Sequence, residues 1–394
     1  MSFFQQVELL PDDPILSIPP LFAADKHRNK VNLGVGAYRD SEGHPLVLSS
    51  VQKAEQHLLN QNLNKEYLPM DGDPEFCHSS LSLALGKNSP HLTRVYTAQT
   101  VGGTAALKVA GDFLIKQFPN ATLHLSHPSW SNHRHIFSIC GFKIDTYPYV
   151  HNHQFDFEGM CDAIKTMAKG DIILMHACCH NPTGIDPTLE QWKAISDLIR
   201  KQELFVLFDM AYQGFGSGLD EDAAVIRYFA DQNHEMAVTI SHSKNFGLYG
   251  ERLGLLAFFV DSPDTVKKVG SQIKSTIRSI YSSPPLHGAR IVKTILQSEE
   301  LTAKWQEELS NMRSRIIEMR KTLTAELQSK QSATDFSFIE KQSGLFSMTG
   351  LNREQVSLLR AEHGIYMPPS GRINIAGLNS QNVQIVADAI QEVI

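Results

Sequence analysis

The chain has 394 residues, of which 42% are hydrophobic and 20% are charged. This length and composition predict two or three globular domains with a large buried core, and they argue against long disordered arms. The formal net charge is −6, from 36 basic and 42 acidic residues. That balance excludes a strongly basic nucleic-acid-binding protein and disfavours an anionic membrane surface as a partner.

Cysteine usage and the amino-terminal segment predict a soluble, cytoplasmic protein. The five cysteines are an odd and scattered set, which indicates a reducing compartment rather than a disulfide framework. The amino-terminal segment carries Glu8, Asp12 and Asp13 but no basic residue before Lys26, unlike a signal or transit peptide. The longest apolar stretch, Leu253 to Val260, is too short to span a membrane.

From residue 94 onwards, short β-rich segments alternate with helix-like segments. Seven strands are predicted in the order RVYTAQT, ATLHLSH, KIDTYPYV, DIILMHACCH, LFVLFDMAY, MAVTISHS and LGLLAFFV. Between them, helices are predicted over Thr104–Gln117, Glu190–Lys201 and Ala223–Asn233. This alternation predicts an α/β fold with a doubly wound, mainly parallel sheet that is covered by helices on both faces.

After Asp261 the pattern changes to long helices. A helical stretch is predicted from Pro263 to Glu300 with an interruption near Pro284-Pro285, followed by the heptad-like LTAKWQEELSNMRSRIIEMRKTLTAELQ and a mixed α+β tail. We therefore predict an amino-terminal arm that is part of a small domain (1–40), a large domain (41–300) and a small carboxyl-terminal domain (301–394).

Polar residues follow five of the predicted strands, where ligands bind in an open α/β sheet. These clusters are Gly102-Gly103-Thr104, Ser129-Trp130, His180-Asn181, Asp209–Tyr212 and Ser241–Lys244. Their position alone predicts a binding site at this edge of the sheet.

Two of these residues have both an ordinary and a functional interpretation. Lys244 follows a buried strand, where a lysine either reaches towards solvent or provides a desolvated amine that forms a Schiff base with a carbonyl. Asp209 ends an apolar run and is either a helix cap or the partner of a cationic group. Ser241, Ser243 and Arg252 near Lys244 have the composition of a phosphate site.

Other motifs are weak when taken singly. Asn181-Pro-Thr-Gly and Gly102-Gly103-Thr104 are ordinary turn sequences, although the amino terminus of a helix also binds phosphate. Arg278 and Arg372 suit the capture of carboxylates, but most arginines are surface residues.

A zinc site is a competing interpretation, because His176, Cys178 and His180 alternate along one predicted strand. The segment is too apolar, its spacing matches no common zinc module, and no carboxylate joins it. We therefore predict no metal.

Taken together, the motifs are highly specific. NLGVGAYRD, HNPTG, DMAYQGFGSG, SKNFGLYGER, YSSPPLHGARIV and GRINIAGL occur in this order over nearly the whole chain. They resemble the aspartate and aromatic-amino-acid aminotransferases, class I members of the fold type I pyridoxal-phosphate enzymes. The resemblance implies a pyridoxal 5′-phosphate cofactor and a two-domain α/β fold.

The resemblance also implies roles around the cofactor ring. Lys244 matches the Schiff-base lysine that shuttles a proton during the reaction, and Asp209 matches the aspartate that keeps the pyridine nitrogen protonated. Tyr212 and Asn181 match donors to the phenolic oxygen, and Trp130 matches the aromatic residue that stacks on the ring. Phosphate-binding residues and residues behind the ring are implied as well: Gly102, Gly103, Thr104, Ser241, Ser243 and Arg252, and His133 and His176, respectively.

For the substrate, Arg372 matches the arginine that binds the α-carboxylate, beside Gly36, Asn181 and Trp130. Arg278 matches an arginine that reaches the side-chain carboxylate from the neighbouring subunit. Tyr67 similarly matches a tyrosine that reaches the partner's phosphate site. The resemblance thus implies a homodimer with shared active sites that acts on amino acids and 2-oxo acids, and a small domain that closes over the substrate.

Three positions bear on selectivity. Ser283 replaces the asparagine common in aspartate-selective members and resembles the aromatic-accepting branch, as do the motifs YLPM and YGER. Glu66 and Thr104 do not match that branch. Ala105 replaces a common glycine, a change that we expect to have little effect on phosphate binding. We therefore expect transamination of aspartate with 2-oxoglutarate, with aromatic amino acids as additional substrates. An aromatic-preferring enzyme, a lyase or decarboxylase of the same fold, and a non-catalytic paralogue that acts as a binding protein are the alternatives.

Overall fold

The structure is a computed structural model that describes residues 2–329 and 334–394. Its strands are β1 (Val31–Asn32), β2 (Val95–Val101), β3 (Thr122–His127), β4 (Lys143–Pro148), β5 (Val150–His151), β6 (Gln154–Phe155), β7 (Ile172–His176), β8 (Phe205–Met210), β9 (Met236–Ser241), β10 (Leu253–Phe259), β11 (Phe346–Met348), β12 (Ile365–Tyr366) and β13 (Arg372–Asn374).

Helices occupy most of the remaining chain. They are α1 (Ile18–Ala24), α2 (Ser49–Gln61), α3 (Pro74–Leu85), α4 (Gly102–Gln117), α5 (Ser131–Cys140), α6 (Phe157–Thr166), α7 (Leu189–Gln202), α8 (Leu219–Asp222), α9 (Ala224–Asp231), α10 (Pro263–Ile280), α11 (His287–Gln297), α12 (Glu299–Ser329), α13 (Arg353–His363) and α14 (Val383–Val393). The predicted interruption near Pro284-Pro285 separates α10 from α11, because proline lacks the backbone N–H that a helix interior needs.

All seven predicted strands form one sheet, in the order β2-β10-β9-β8-β7-β3-β4. Strand β10 runs antiparallel to β2 and β9, and the other neighbours are parallel. The predicted mainly parallel α/β sheet is therefore confirmed. The antiparallel strand has a simple cause: residues 242–252, which join β9 to β10, contain no helix, and a parallel connection needs a longer crossover.

Both faces of the sheet are buried, as the continuous apolar strands predict. In β7, Ile172 and Leu174 pack in one hydrophobic cluster, whereas Ile173 and Met175 pack in the other. Side chains alternate along a strand, so the two clusters lie on opposite faces. Helices on each side exclude water and leave the ends of the sheet as the accessible edges.

The carboxyl ends of β2, β3, β7, β8 and β9 share one edge, because these strands run in the same direction. The antiparallel β10 contributes its amino end, just after Arg252, to that edge. All five predicted polar clusters therefore lie along it.

Outside this sheet, β1 pairs in parallel with β12, and β11 pairs antiparallel with β13. The first pair joins the segment near residue 31 to the carboxyl-terminal part of the chain, and the second carries Arg372. The proposed division into 1–40, 41–300 and 301–394 stays a prediction. Within residues 2–329 and 334–394, no helix combines the length and the apolar character needed to cross a bilayer.

Candidate active site

A cavity of about 240 Å³ opens at the carboxyl edge of the sheet. It is lined by residues from all five polar clusters and from the segments around residues 36 and 372. The predicted site residues among them are Gly36, Gly103, Thr104, Trp130, His176, Asn181, Asp209, Tyr212, Ser241, Ser243, Lys244, Arg252 and Arg372.

Lys244 supplies an amine that lines the cavity and forms no ion pair with any residue in the described part of the chain. Its Nζ lies 5.0 Å from the centre of the Tyr212 ring, and no hydrogen-bond partner is found for it in the described chain. Burial, together with the positive charges of Arg252 and Arg372, lowers the pKa of Lys244 to about 8 against the opposing effect of Asp209. The fraction of this amine that is uncharged near neutral pH is therefore far larger than for an ordinary lysine, and the uncharged form is the nucleophile.

Asp209 is a buried carboxylate held by a chain of hydrogen bonds. His133 Nε2 donates to Asp209 Oδ2 at 2.9 Å, and Thr239 Oγ1 donates to Oδ1 at 3.2 Å. Ser129 Oγ lies 3.0 Å from His133 Nδ1 and fixes the other side of the ring. Burial alone would raise the pKa of Asp209, but the hydrogen bond and charge of His133 hold it below its ordinary value. The carboxylate is thus ionised and suited to binding a protonated ring nitrogen.

Two buried polar side chains beside Asp209 lack partners. Neither ring nitrogen of His176 is hydrogen-bonded, and the Oδ1 atom of Asn181 is also free. Burial lowers the pKa of His176 to about 3, so its ring is neutral. Unpaired buried polar atoms are costly, and their presence in a cavity wall indicates a polar ligand.

The other end of the cavity has the features of an anion site. Helix α4 begins at Gly102, so the N–H groups of its first turn have no partner within the helix, and Gly103 and Thr104 line the cavity together with Ser241 and Ser243. Arg252 Nη1 donates to Ser243 Oγ at 3.3 Å. Gly102 has a φ of +73°, and a Cβ there would lie 2.5 Å from Arg252 Nη2. Glycine is therefore required where the arginine crosses the helix terminus.

Arg372 forms the third side of the cavity. It is 4% exposed, its Nη2 donates to Gly34 O at 2.5 Å, and its Nε has no partner. The guanidinium lies 4.1 Å from the centre of the Phe346 ring, which meets the Tyr212 ring edge-on. Burial lowers the pKa of Arg372 to about 10, so it stays protonated at neutral pH and can bind a carboxylate.

Four predicted residues do not line this cavity: Gly102, His133, Tyr67 and Arg278. Gly102 lies against Arg252, and His133 binds Asp209, so both support residues that do line it. Tyr67 is 87% exposed, and Arg278 is exposed with its Nη1 donating to Ser282 Oγ. Neither contributes to the site of its own chain. Their contribution to a neighbouring subunit stays a prediction.

The structure does not assemble the zinc-ligand set considered from the sequence. Strand β7 ends at His176, and both ring nitrogens of His180 are occupied, by Ser126 Oγ at 2.9 Å and Thr183 Oγ1 at 2.8 Å. The donor atoms that do converge near His176 belong to His133 and Asp209, and these two are already bonded to each other.

Comparison with known proteins identifies the family. The family described as "Aminotransferase class I and II" matches residues 28–390. The aspartate aminotransferase of Escherichia coli (strain K12) is 46% identical over 99% of this chain and the whole of that protein.

The chain belongs to the class I and II aminotransferases.

Solved structures of aminotransferases show the same fold. The aromatic-amino-acid aminotransferase of Burkholderia pseudomallei, covalently bound to pyridoxal phosphate, superimposes with a TM-score of 0.97 at 44% identity, covering 100% of both chains. The psychrophilic aromatic amino acids aminotransferase of Psychrobacter sp. B6, cocrystallised with aspartic acid, gives 0.96 at 41% identity over 99% of both chains. The predicted fold class and the enzyme class, an aminotransferase, are therefore confirmed.

Four residues line the cavity of this aminotransferase but were not predicted from the sequence: Ile15, Leu107, Ala211 and Phe346. All are apolar and look like ordinary core residues in the sequence. The sequence could have indicated Ala211 and Leu107 by their position. Ala211 lies within the predicted cluster Asp209–Tyr212, and Leu107 lies close to the cluster that ends at Thr104. Phe346 offers none, because its contacts with Arg372 and Tyr212 join distant parts of the chain.

Proposed function

We propose that this aminotransferase binds pyridoxal 5′-phosphate and transfers the amino group of L-aspartate to 2-oxoglutarate, which yields oxaloacetate and L-glutamate in a ping-pong cycle. The observation that carries the proposal is the cavity itself. A depressed-pKa lysine, a buried carboxylate, an anion site and an unpaired buried arginine converge in it.

The residues fit the cofactor at both ends. The α4 terminus with Ser241, Ser243 and Arg252 supplies hydrogen-bond donors for a phosphate, and Lys244 supplies an amine for an aldehyde. The unpaired Asn181 also lines the space between them. When bound, pyridoxal phosphate supplies an electron sink that stabilises the carbanion formed at the α-carbon of an amino acid.

The protein contributes proton control and orientation. Asp209, ionised and held by His133, keeps a proton on the ring nitrogen, and Tyr212 with Asn181 binds the phenolic oxygen. Lys244 would take the proton from the substrate α-carbon and give it to the cofactor carbon that keeps the amino group. Trp130 stacks on the ring from the cavity wall.

The substrate is bound through its carboxylates. We assign the α-carboxylate to Arg372, beside Gly36 and Asn181, because the free Nε of this buried arginine has no other acceptor. We assign the second carboxylate of aspartate or glutamate to Arg278 of a neighbouring copy. Two arginines at opposite ends favour dicarboxylic substrates and hold the substrate so that the α-proton, rather than a carboxyl group, is lost. A lyase or decarboxylase is therefore disfavoured.

The exposed residues support a homodimer with shared sites. Beyond Tyr67 and Arg278, the amino-terminal arm exposes Phe3, Phe4 and Leu9, which are 97%, 78% and 100% accessible. Large apolar side chains exposed together indicate a contact surface. We propose that a second copy covers them and receives Tyr67 at its phosphate site. The cytoplasmic location stays a prediction.

The pKa of Lys244 leads to a testable pH dependence. Capture of the cofactor aldehyde needs the uncharged amine, so its rate should rise with pH and reach half its maximum near 8, where burial sets the pKa of Lys244. An ordinary lysine would give a half-maximum at 10.5. Stopped-flow absorbance of apoprotein mixed with pyridoxal phosphate between about pH 6 and about pH 11.5 measures this. A half-maximum close to 10.5 would contradict the assignment.

The direct test of the function is a titration of the cofactor-loaded protein. L-aspartate and L-phenylalanine are added in separate runs without an oxo-acid acceptor, and absorbance follows conversion of the cofactor to its amine form. Conversion by aspartate supports the proposal. Conversion by neither amino acid would overturn it and favour a non-catalytic binding protein.

The second candidate, an aromatic-preferring aminotransferase, is favoured by Ser283, which stands where aspartate-selective members have asparagine. It is also supported by relatives that are described as aromatic aminotransferases. In the same titration, conversion at a lower concentration of phenylalanine than of aspartate would support it. Similar concentrations for both amino acids would indicate dual use.

A further inference from the structure

Arg320, on helix α12, is buried and donates all of its hydrogen bonds to one segment of the chain. It is 2% exposed. Its Nη1 donates to Ile339 O at 3.1 Å and to Ser347 Oγ, and its Nη2 donates to Gly344 O at 2.7 Å and Phe346 O at 3.2 Å. These acceptors are all neutral, and no carboxylate within the described residues forms an ion pair with this guanidinium.

A buried arginine usually faces an acidic partner, because removing its charge from water is costly. The planar guanidinium here instead binds several oxygens of residues 339–347 at once. Such a fork fixes the position of the backbone more tightly than a single contact. Helix α12 packs along the carboxyl-terminal part of the chain, so the segment is attached to a rigid element.

The segment held by Arg320 carries Phe346 into the active-site cavity. The ring of Phe346 lies against the Arg372 guanidinium and the Tyr212 ring, at 4.1 Å and 5.8 Å. A Cβ on Gly36 would lie only 2.7 Å from the same ring. The ring therefore determines where the guanidinium of Arg372 can lie.

The other end of the segment holds the loop that carries Asn181. Ser343 N donates to Gly184 O at 2.6 Å, and Ser343 Oγ donates to Asp186 Oδ2 at 2.9 Å. The carboxylate of Asp186 in turn accepts from His180 N at 2.9 Å. One segment thus contacts the supports of both residues that we assign to the substrate α-carboxylate.

We infer that Arg320 is a positioning residue for the substrate carboxylate: it holds residues 339–347 so that Phe346 orients Arg372 and Ser343 supports the Asn181 loop. The inference rests on the proposed function. The phosphate site, built from α4, β9 and Arg252, lies on other elements. Asn181 contributes only one of the proposed cofactor contacts. Loss of Arg320 should therefore weaken substrate binding much more than cofactor binding.

The test substitutes Arg320→Lys, which keeps the charge and removes the planar fork. The KM for aspartate and the Kd for succinate, a dicarboxylate that cannot react, should rise about tenfold or more, because small displacements of a binding group are costly. The Kd for pyridoxal phosphate should change less than about twofold, because the groups at the phosphate site are not displaced. Calorimetry on the cofactor-loaded protein measures succinate binding independently of turnover.

Controls separate this role from general stability. Arg313→Lys is the matched variant, because Arg313 lies on the same helix and donates to Gly214 O, away from Phe346; it should leave succinate binding unchanged. Ser347→Ala, which removes one contact, should give a smaller change in the same direction. Arg320→Lys combined with Phe346→Leu should weaken succinate binding no more than the larger single effect.

The outcomes are distinct. If wild-type protein neither binds pyridoxal phosphate nor responds to aspartate, the proposed function fails. If wild-type protein does both and Arg320→Lys binds succinate normally, or loses cofactor and succinate affinity in parallel, the positioning role is overturned.

Discussion

Replacing Lys244 with alanine should reduce turnover of aspartate at least about 10⁴-fold, because the variant loses both the nucleophile and the proton carrier at the α-carbon. The amine of Lys244 is the only lysine amine lining the cavity within the described chain, so no other lysine side chain is placed to replace it. Cofactor binding should persist through Arg252 and the helix α4 terminus, but in a form that dialysis removes. Steady-state kinetics and absorbance spectra of the loaded variant measure these changes.

The control for this experiment is Lys267→Ala, which removes an exposed lysine on helix α10 and should leave both readouts unchanged. Partial recovery of aspartate turnover when a small primary amine is added to the Lys244→Ala variant would support the proton-transfer role. Multiple turnover by Lys244→Ala at close to the wild-type rate would refute the assignment.

The sequence predicted the sheet well because its strands are strongly apolar and regularly spaced. Every segment from RVYTAQT to LGLLAFFV became a strand of the seven-stranded sheet. The direction of strand β10 was harder to predict. The pattern of β10 does not differ from that of a parallel strand, and only the helix-free connection over residues 242–252 distinguishes it. The sequence does contain that information, but in the length of the connection between β9 and β10 rather than in the residues of the strand.

Site residues could be predicted where a residue type is unusual for its position in the predicted fold. A lysine or aspartate at the end of a buried strand, such as Lys244 or Asp209, is conspicuous. Phe346 and Arg320 are not conspicuous, because an apolar residue is usually a core residue and an arginine on a long helix is usually a surface residue. The importance of Phe346 depends on its contact with Tyr212, more than a hundred residues away in the chain, and the importance of Arg320 depends on that of Phe346. Periodicity does not encode such contacts.

Replacing Arg278 with alanine should lower kcat/KM for aspartate by about 10²-fold or more, the scale of losing a charge-assisted carboxylate contact. The value for phenylalanine should fall far less, because its ring has no charge to pair. The control is Arg353→Ala, on the exposed face of α13. It should alter kcat/KM for neither aspartate nor phenylalanine. An equal loss for both substrates would argue against Arg278 as the side-chain carboxylate ligand.

The exposed position of Arg278 makes a stronger experiment possible, since it tests which subunit the arginine serves. Lys244→Ala and Arg278→Ala dimers, each nearly inactive with aspartate, are mixed after mild denaturation and renatured together. If Arg278 acts in the partner's site, each mixed dimer contains one site with both residues intact and one site with neither. Half of the dimers are mixed, so the sample should recover about a quarter of wild-type aspartate activity. If Arg278 served its own chain, every site would lack one of the two residues and no activity would return.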